Sequence, residues 1–324
     1  MTERVRTFRP LSRFKAKSPD WLWEPYIPYG MITIMEGDPG LGKTFVALFL
    51  ASRVSAGGTL PDGKKLEKQD VAYLSYEDDP GYTLRPRGDM MGGDVKAIHV
   101  LNDDFMLDEN GFVDLEALIK EREVRLVVID PFVAAIPSSK DMYRSNAIRP
   151  MLSELSRVAA EHGCAIILIR HLTKMKHEKA IYQGGGSMDY IGAARSALRV
   201  DVHPDDENRR VMVHIKHNIG PQGRSWSFRL VVKGKGQIPD LVWEGECDVR
   251  PDDLMAEGST RPADEAREFL IRELRQKPRP SSEIEMLAQE EGISKRTLNR
   301  ARKSLGLEAY QRGRQWFLPR YRPQ

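Results

Sequence analysis

Between residues 29 and 243, short apolar runs of strand length alternate with stretches whose apolar residues recur at helical spacing. The runs are GMITIME (30–36), DVAYLSYE (70–77), KAIHVL (96–101), RLVVID (125–130) and CAIILIR (164–170). Between them lie FVALFLASRVSA, VDLEALIKERE and a long stretch near 145–162. Near-continuous apolar strands separated by helices predict an α/β domain with a mostly parallel sheet, because helices cover both faces of such strands. After residue 195 the helices stop. SALRVDV, RRVMVHIK, RSWSFRLVV and QIPDLVW read as antiparallel strands that extend the same sheet.

Residues 244–262 lack periodicity and carry Pro, Gly and acidic residues, the marks of a linker. A second unit starts at 263. DEAREFLIREL is an amphipathic helix, SSEIEMLAQEEG opens on serines and stops at Gly292, and ISKRTLNRARKSLGL is capped by Ser294. AYQRGRQWFLP reads as strand, Gly, strand, with Trp316 in the core. The expected layout is a basic arm over 1–19, an α/β domain over 20–243, the linker, a small domain over 263–319 and a tail over 320–324. Three helices followed by a hairpin predict a winged helix-turn-helix.

Composition fits this layout. The 324 residues suffice for one large and one small domain, with 40% hydrophobic and 30% charged residues. The longest apolar runs are far too short to span a bilayer, so no membrane partner is expected. The basic N-terminus has no apolar run behind it and does not read as a secretory signal. Cys164 and Cys247 have no CxxC spacing, so a zinc site is not expected and the cytoplasm is the simplest location. Net charge is +3, but residues 261–324 hold 15 Lys and Arg against 9 Asp and Glu, which leaves the remainder net acidic. A basic tail on an acidic body points to a polyanionic partner.

The chemistry is concentrated at EGDPGLGKT. Gly37, Asp38, Pro39, Gly40, Leu41, Gly42, Lys43 and Thr44 fit G-x-x-x-x-G-K-[ST] between a strand and a helix, the context this phosphate-binding loop needs. Its glycines let backbone N–H groups turn onto phosphate oxygens. Lys43 is placed to reach the β- and γ-phosphates of ATP, and the Thr44 hydroxyl to ligate Mg2+. Asp130, closing RLVVID, is the acidic residue expected on the far side of the metal. Pro131 follows it, so the carboxylate that activates water must come from elsewhere. Glu77 is the candidate, at the end of a strand expected beside the loop strand.

GDPGLGKT, YLSYEDD, VVIDP, HLTK and GGGSMDYIGAAR, in this order, resemble the motifs of RecA-fold, RepA-type replicative hexameric helicases of plasmids and related phage ATPases. The resemblance covers roughly residues 20–243. It implies that the α/β domain is a RecA-like ATPase core, that His171 senses the γ-phosphate, and that Arg195 enters a neighbouring subunit's site as an arginine finger. Such a finger is worth roughly 10³–10⁵ in rate and makes hydrolysis depend on assembly. Lys216 in HIKHNIGPQG is a second trans-acting candidate, although Asn218 stands where related helicases have arginine. Thr173–Gly186 resembles a mobile channel loop, whose Lys174, Lys176 and Lys179 would follow a nucleic-acid backbone.

In the tail, Lys295, Arg296, Arg300, Arg302 and Lys303 on the expected recognition helix, and Arg312 and Arg314 on the wing, are candidate DNA contacts. The combined expectation is a DNA-stimulated ATPase using ATP and Mg2+. It would form a homo-oligomer, a hexameric ring by resemblance, and act as a helicase on single-stranded and possibly duplex DNA with replication proteins as partners. The alternatives are a nucleotide-gated DNA-binding initiator or regulator, and a recombination mediator.

Overall fold

The computed structural model describes residues 10–101, 105–137, 145–172, 189–232, 238–254 and 262–322, without the side chains of 145–147, 189, 262–263 and 296. A small hairpin comes first: β1 (Trp21–Trp23) pairs antiparallel with β2 (Ile27–Pro28). Strands this short show no readable period, and the sequence pattern does not predict them. β3 (Ile32–Gly37) is buried throughout and leads through the glycine loop into α1 (Lys43–Ala56). β4 (Val71–Ser75), the short α2 (Arg85–Met90), β5 (Ile98–Leu101), α3 (Glu109–Arg122) and β6 (Leu126–Asp130) follow. Next come α4 (Ser145–His162), β7 (Ala165–His171) and α5 (Asp189–Ala193). The helices then end, as the pattern predicts, and β8 (Ser196–His203), β9 (Asp206–His217), β10 (Ser225–Val231) and β11 (Asp240–Cys247) form a meander.

These strands make one sheet in the order β11-β10-β9-β8-β3-β7-β6-β4-β5. Neighbours from β8 to β5 run parallel, and those from β8 to β11 antiparallel. The mixed sheet matches the expected class of a parallel core with an antiparallel extension. One expected adjacency is wrong. β4, which leads to Glu77, does not lie beside β3, because β7 and β6 stand between them. Parallel strands are joined by crossovers, so strands adjacent in sequence need not be adjacent in the sheet.

Side-chain alternation divides the core into two layers. Met35, Tyr73, Val128 and Ile167 face α1 and pack with Val46, Leu50 and Val54. Ile34, Ala72, Val127 and Ile166 face the other way and pack with Leu115, Ile119, Met151 and Leu155 of α3 and α4. Burying both faces explains why these strands lack a polar side.

The domain boundary expected at 243 moves. β11 runs on to Cys247, and Leu254 at the end of a 3-10 turn is buried against Val211, Val213 and Val249. The small domain follows, with α6 (Pro262–Leu274), β12 (Arg279–Pro280), α7 (Ser281–Glu290), α8 (Lys295–Ser304), β13 (Tyr310–Arg312) and β14 (Gln315–Leu318). Its strands lie in the order β12-β14-β13, and Phe269, Leu270, Ile284, Leu298, Ala301 and Leu318 form its own core. The Ser294 hydroxyl caps α8 by accepting the Thr297 N–H, as expected. The chain past 319 also belongs to the fold, since the Tyr321 amide donates to Leu274 O. Trp316 is not in the core. It is 55% exposed. Pairing with β12 ends at Phe317, so Trp316 stands nearer the hairpin tip, beyond the covered part of the sheet.

The loop strand tolerates no side chain at its end. A Cβ on Gly37 would lie 2.2 Å from the Val200 carbonyl oxygen of the neighbouring β8, and neither backbone can yield. Gly37→Ala should therefore destabilise the protein by at least about 2 kcal/mol, read as a lower urea midpoint with unchanged slope. A wild-type midpoint would show that β3 and β8 are not packed this closely.

Candidate active site

Gly37 ends β3, and residues 38–42 carry the chain to the start of α1. Gly40 and Gly42 have φ of +78° and +97°, values at which a side chain would be strained. Gly42 is the N-cap of α1 and no side chain caps the helix, so its first-turn N–H groups present the partial positive charge that binds anions.

Lys43 opens this helix with its side chain turned back under the loop and only 4% exposed. Its ammonium donates to Gly37 O and Asp38 O, each at 2.8 Å, and to His171 Nδ1 at 3.2 Å. Burial lowers its pKa to about 8, against the opposing attraction of Asp130, Asp38 and Glu77. A phosphate oxygen entering the cradle would be an anionic acceptor, stronger than either carbonyl.

Thr44 and Asp130, the two expected metal ligands, are hydrogen-bonded to each other. The Thr44 hydroxyl donates to Asp130 Oδ2 at 2.7 Å, and the Tyr73 hydroxyl donates to the same oxygen at 3.1 Å. Burial raises Asp130 to about pKa 6, partly offset by those two hydrogen bonds and raised further by Asp78. A buried carboxylate beside a hydroxyl, short of positive charge, is a donor set that suits Mg2+. Tyr73 is a participant that the sequence reading missed. It looks like any apolar strand residue, and only the register with β6 brings its hydroxyl onto Asp130.

Glu77 follows β4. The Tyr76 amide extends the ladder by donating to Asp130 O, and Asp79 caps the next turn by accepting the Gly81 and Tyr82 N–H groups. Held between these anchors, Glu77 is exposed, and its Oε1 lies 3.8 Å from His171 Nε2. An ammonium can only donate, so His171 Nδ1 accepts from Lys43 and the neutral ring carries its proton on Nε2, toward Glu77. Burial and the Lys43 charge both lower the His171 pKa, which favours that neutral ring. Asp78 is steadied by Arg87, 3.4 Å away, whose guanidinium lies 4.4 Å above the Phe45 ring.

Beneath the cradle runs a row of buried charges. Arg170 donates twice to Glu36 Oε2, at 3.0 and 2.6 Å, which ties the residues before His171 and Gly37 together. Arg199, in register with Glu36 on the other side, pairs with Asp201.

Arg195 lies elsewhere. Its amide donates to Ile32 O, at the start of β3 rather than at its loop end. Five residues at about 3.3 Å each place its backbone roughly 16 Å from its own cradle. Its side chain is exposed, and among the described residues no carboxylate pairs with it. Lys216 lies close enough for the Arg195 charge to lower its pKa, after burial, and its ammonium donates to the carbonyls of Ile191 and Gly192 in α5. Lys174, Lys176 and Lys179 fall outside the described residues, as does the side chain of Arg296. In the small domain Lys295 pairs with Glu285 at 2.8 Å, Arg300 faces Asp205, Arg302 is half-buried, and Lys303, Arg312 and Arg314 are exposed.

A model of the AAA domain family matches residues 6–177, more than half of the chain. The chain belongs to the AAA domain family. Members of this RecA-like P-loop ATPase family typically bind ATP with Mg2+. This AAA domain protein is also similar to the DNA repair protein RadA of Halalkalibacterium halodurans, 28% identical over 152 residues. It is 24% identical over 147 residues to the DNA repair protein RadA of Bacillus subtilis. Each match takes in 45% of this chain and 28% of the relative, so the chain spans less than a third of the length of these curated relatives. Among the described residues no helix is long and apolar enough to cross a membrane.

Asp130 gives a pH test. Its pKa in the fold, about 6, lies above that of an unfolded aspartate, about 3.9. The fold thus prefers the protonated form, so this group favours folding fully below about pH 4, and the benefit is lost as pH rises through 6. In chelator, Asp130→Asn should be more stable than wild type above pH 6.5 by up to roughly 2–3 kcal/mol, with the gain vanishing near pH 4. Urea titrations at the two pH values check this. Equal stability at pH 7.5 would mean that the carboxylate is not held out of water.

Proposed function

We propose that this AAA domain protein is a DNA-stimulated ATPase motor. It assembles through its nucleotide sites, as a hexameric ring like the helicases it resembles, and moves along single-stranded DNA as a replicative-type helicase. One observation carries the reading. Lys43, Thr44, Asp130, Glu77 and His171 gather at one edge of the sheet, whereas Arg195 is exposed near the opposite edge. An arginine exposed so far from its own cradle supports a role at a cradle on another subunit.

In hydrolysis, Glu77 would take the proton from the attacking water, its exposure leaving room for that water. Lys43 would exchange its carbonyl partners for phosphate oxygens, and His171, bonded to Lys43 and facing Glu77, would register that exchange. Mg2+, when bound, supplies charge neutralisation at the phosphates and would be held by Thr44 and Asp130. Arg195 from a neighbour would stabilise charge on the transferring phosphoryl group, with Lys216 fixing α5 beside it.

The helix, strand, helix, helix and hairpin order of residues 262–322 supports a winged-helix domain, and the basic α8 supports DNA as its partner. Similarity to proteins named for DNA repair supports the same partner and favours a second reading, a recombination mediator with the same core. A strand-exchange assay separates the two.

Lys43→Ala and Arg195→Ala should each fail to hydrolyse ATP or displace a strand from forked DNA, with losses on the order of 10³-fold in rate. Mixing them should restore part of the ATPase, because a junction that takes its cradle from an Arg195→Ala subunit and its arginine from a Lys43→Ala subunit is complete. ATPase per subunit in the wild type should rise with protein concentration and with single-stranded DNA. Failure of mixing to restore activity, with a rate independent of concentration, would exclude a shared site.

A further inference from the structure

Among the described residues, Arg300 of the small domain bridges to two carboxylates of the ATPase domain. Arg300, midway along α8, donates through Nε to Asp205 Oδ2 at 2.9 Å and through Nη2 to Asp205 Oδ1 at 3.0 Å. Its Nη1 lies 3.1 Å from Asp253 Oδ2. Asp205 stands in the turn between β8 and β9, and Asp253 in the 3-10 turn after β11, so both carboxylates belong to the ATPase side. The side chains are largely buried, at 16% exposure for Arg300, 26% for Asp205 and 17% for Asp253. Both acidic residues are also fixed from their own side. The Asp205 amide donates to His203 Nδ1, and Asp253 accepts the Arg250 N–H.

Two oxygens of one carboxylate gripped by a guanidinium fork, with a second anion at the third nitrogen, is the geometry by which arginine also holds phosphate. The surroundings favour a polyanion. Lys303 is three residues on, hence on the same side of the helix. Arg302, Lys303, Arg312 and Arg314 have no carboxylate partner among the described residues. A nucleic-acid backbone exchanging with Asp205 and Asp253 at Arg300 would lose little there and gain those further cations.

We propose that Arg300 is the centre of a nucleic-acid phosphate site on α8, and that Asp205 and Asp253 hold this site as internal competitors until a nucleic-acid backbone displaces them. The inference rests on the reading of the small domain as DNA-binding. Displacement would free the small domain from the ATPase domain at the moment it engages DNA.

The test uses the full chain and fluorescein-labelled single strands and duplexes, with binding read by anisotropy over a salt series. D205N/D253N should bind about 10-fold more tightly than wild type at low salt, and R300A added to that variant should remove the gain. Its ATPase without DNA should match wild type. If wild type binds and the double variant shows no gain, the competitor proposal is overturned while the DNA reading stands. If neither binds, both fall. Hydrogen exchange on the wild type gives a measurement that needs no variant. Amides of residues 203–208 should exchange faster with DNA present, and unchanged or slower exchange overturns the proposal.

Discussion

The shared direction of β3, β4, β6 and β7 is the constraint on which the rest of this molecule depends. In a parallel sheet every strand delivers its C-terminal end to the same edge. Gly37, Glu77, Asp130 and His171 come from points as far apart in sequence as residues 37 and 171, and each follows or ends one of these strands. The crossovers that enforce the direction place α1 on one face and α3 and α4 on the other. This is why the active-site edge has a dry, two-sided core behind it.

That core sets the electrostatics. Lys43 and Asp130 are drawn toward neutrality from opposite sides, the lysine down to about 8 and the aspartate up to about 6. Each is charged at neutral pH at a cost, and a magnesium-bound triphosphate would offer each an opposite charge. The Glu36–Arg170 pair is different in kind. Its members lie on adjacent strands and satisfy each other, apart from one oxygen and one nitrogen left without hydrogen bonds. Such a pair adds little net stability, but it fixes the register of β3 against β7 and so the separation of Lys43 from His171.

The small domain follows a different economy of charge. Its core is apolar and local, while α8 and the hairpin carry Lys295, Arg296, Arg300, Arg302, Lys303, Arg312 and Arg314. Its contact with the larger domain includes an ion pair of the Arg300 guanidinium with two carboxylates. A junction of that kind responds to competing anions and to salt far more than an apolar one does. The two domains are therefore joined by the type of interaction that a polyanionic partner can exchange.

Much of this was legible in the sequence. The glycine loop, the apolar strands and Asp130 could be read directly, because phosphate binding demands a fixed local spacing and buried strands demand continuous apolar residues. The cap at Ser294 was legible for the same reason, since capping spans only three residues. Local patterns could not give the order of strands. Glu77 was placed beside the loop strand and proved to be three positions away, because crossover connections reorder the sheet. Nor could they give Tyr73 on Asp130, Arg170 on Glu36, Trp316 at the surface, or Arg300 on Asp205. Each of these depends on register, or on two elements distant in sequence coming together, and such meetings are settled by how the whole chain packs rather than by any stretch of it.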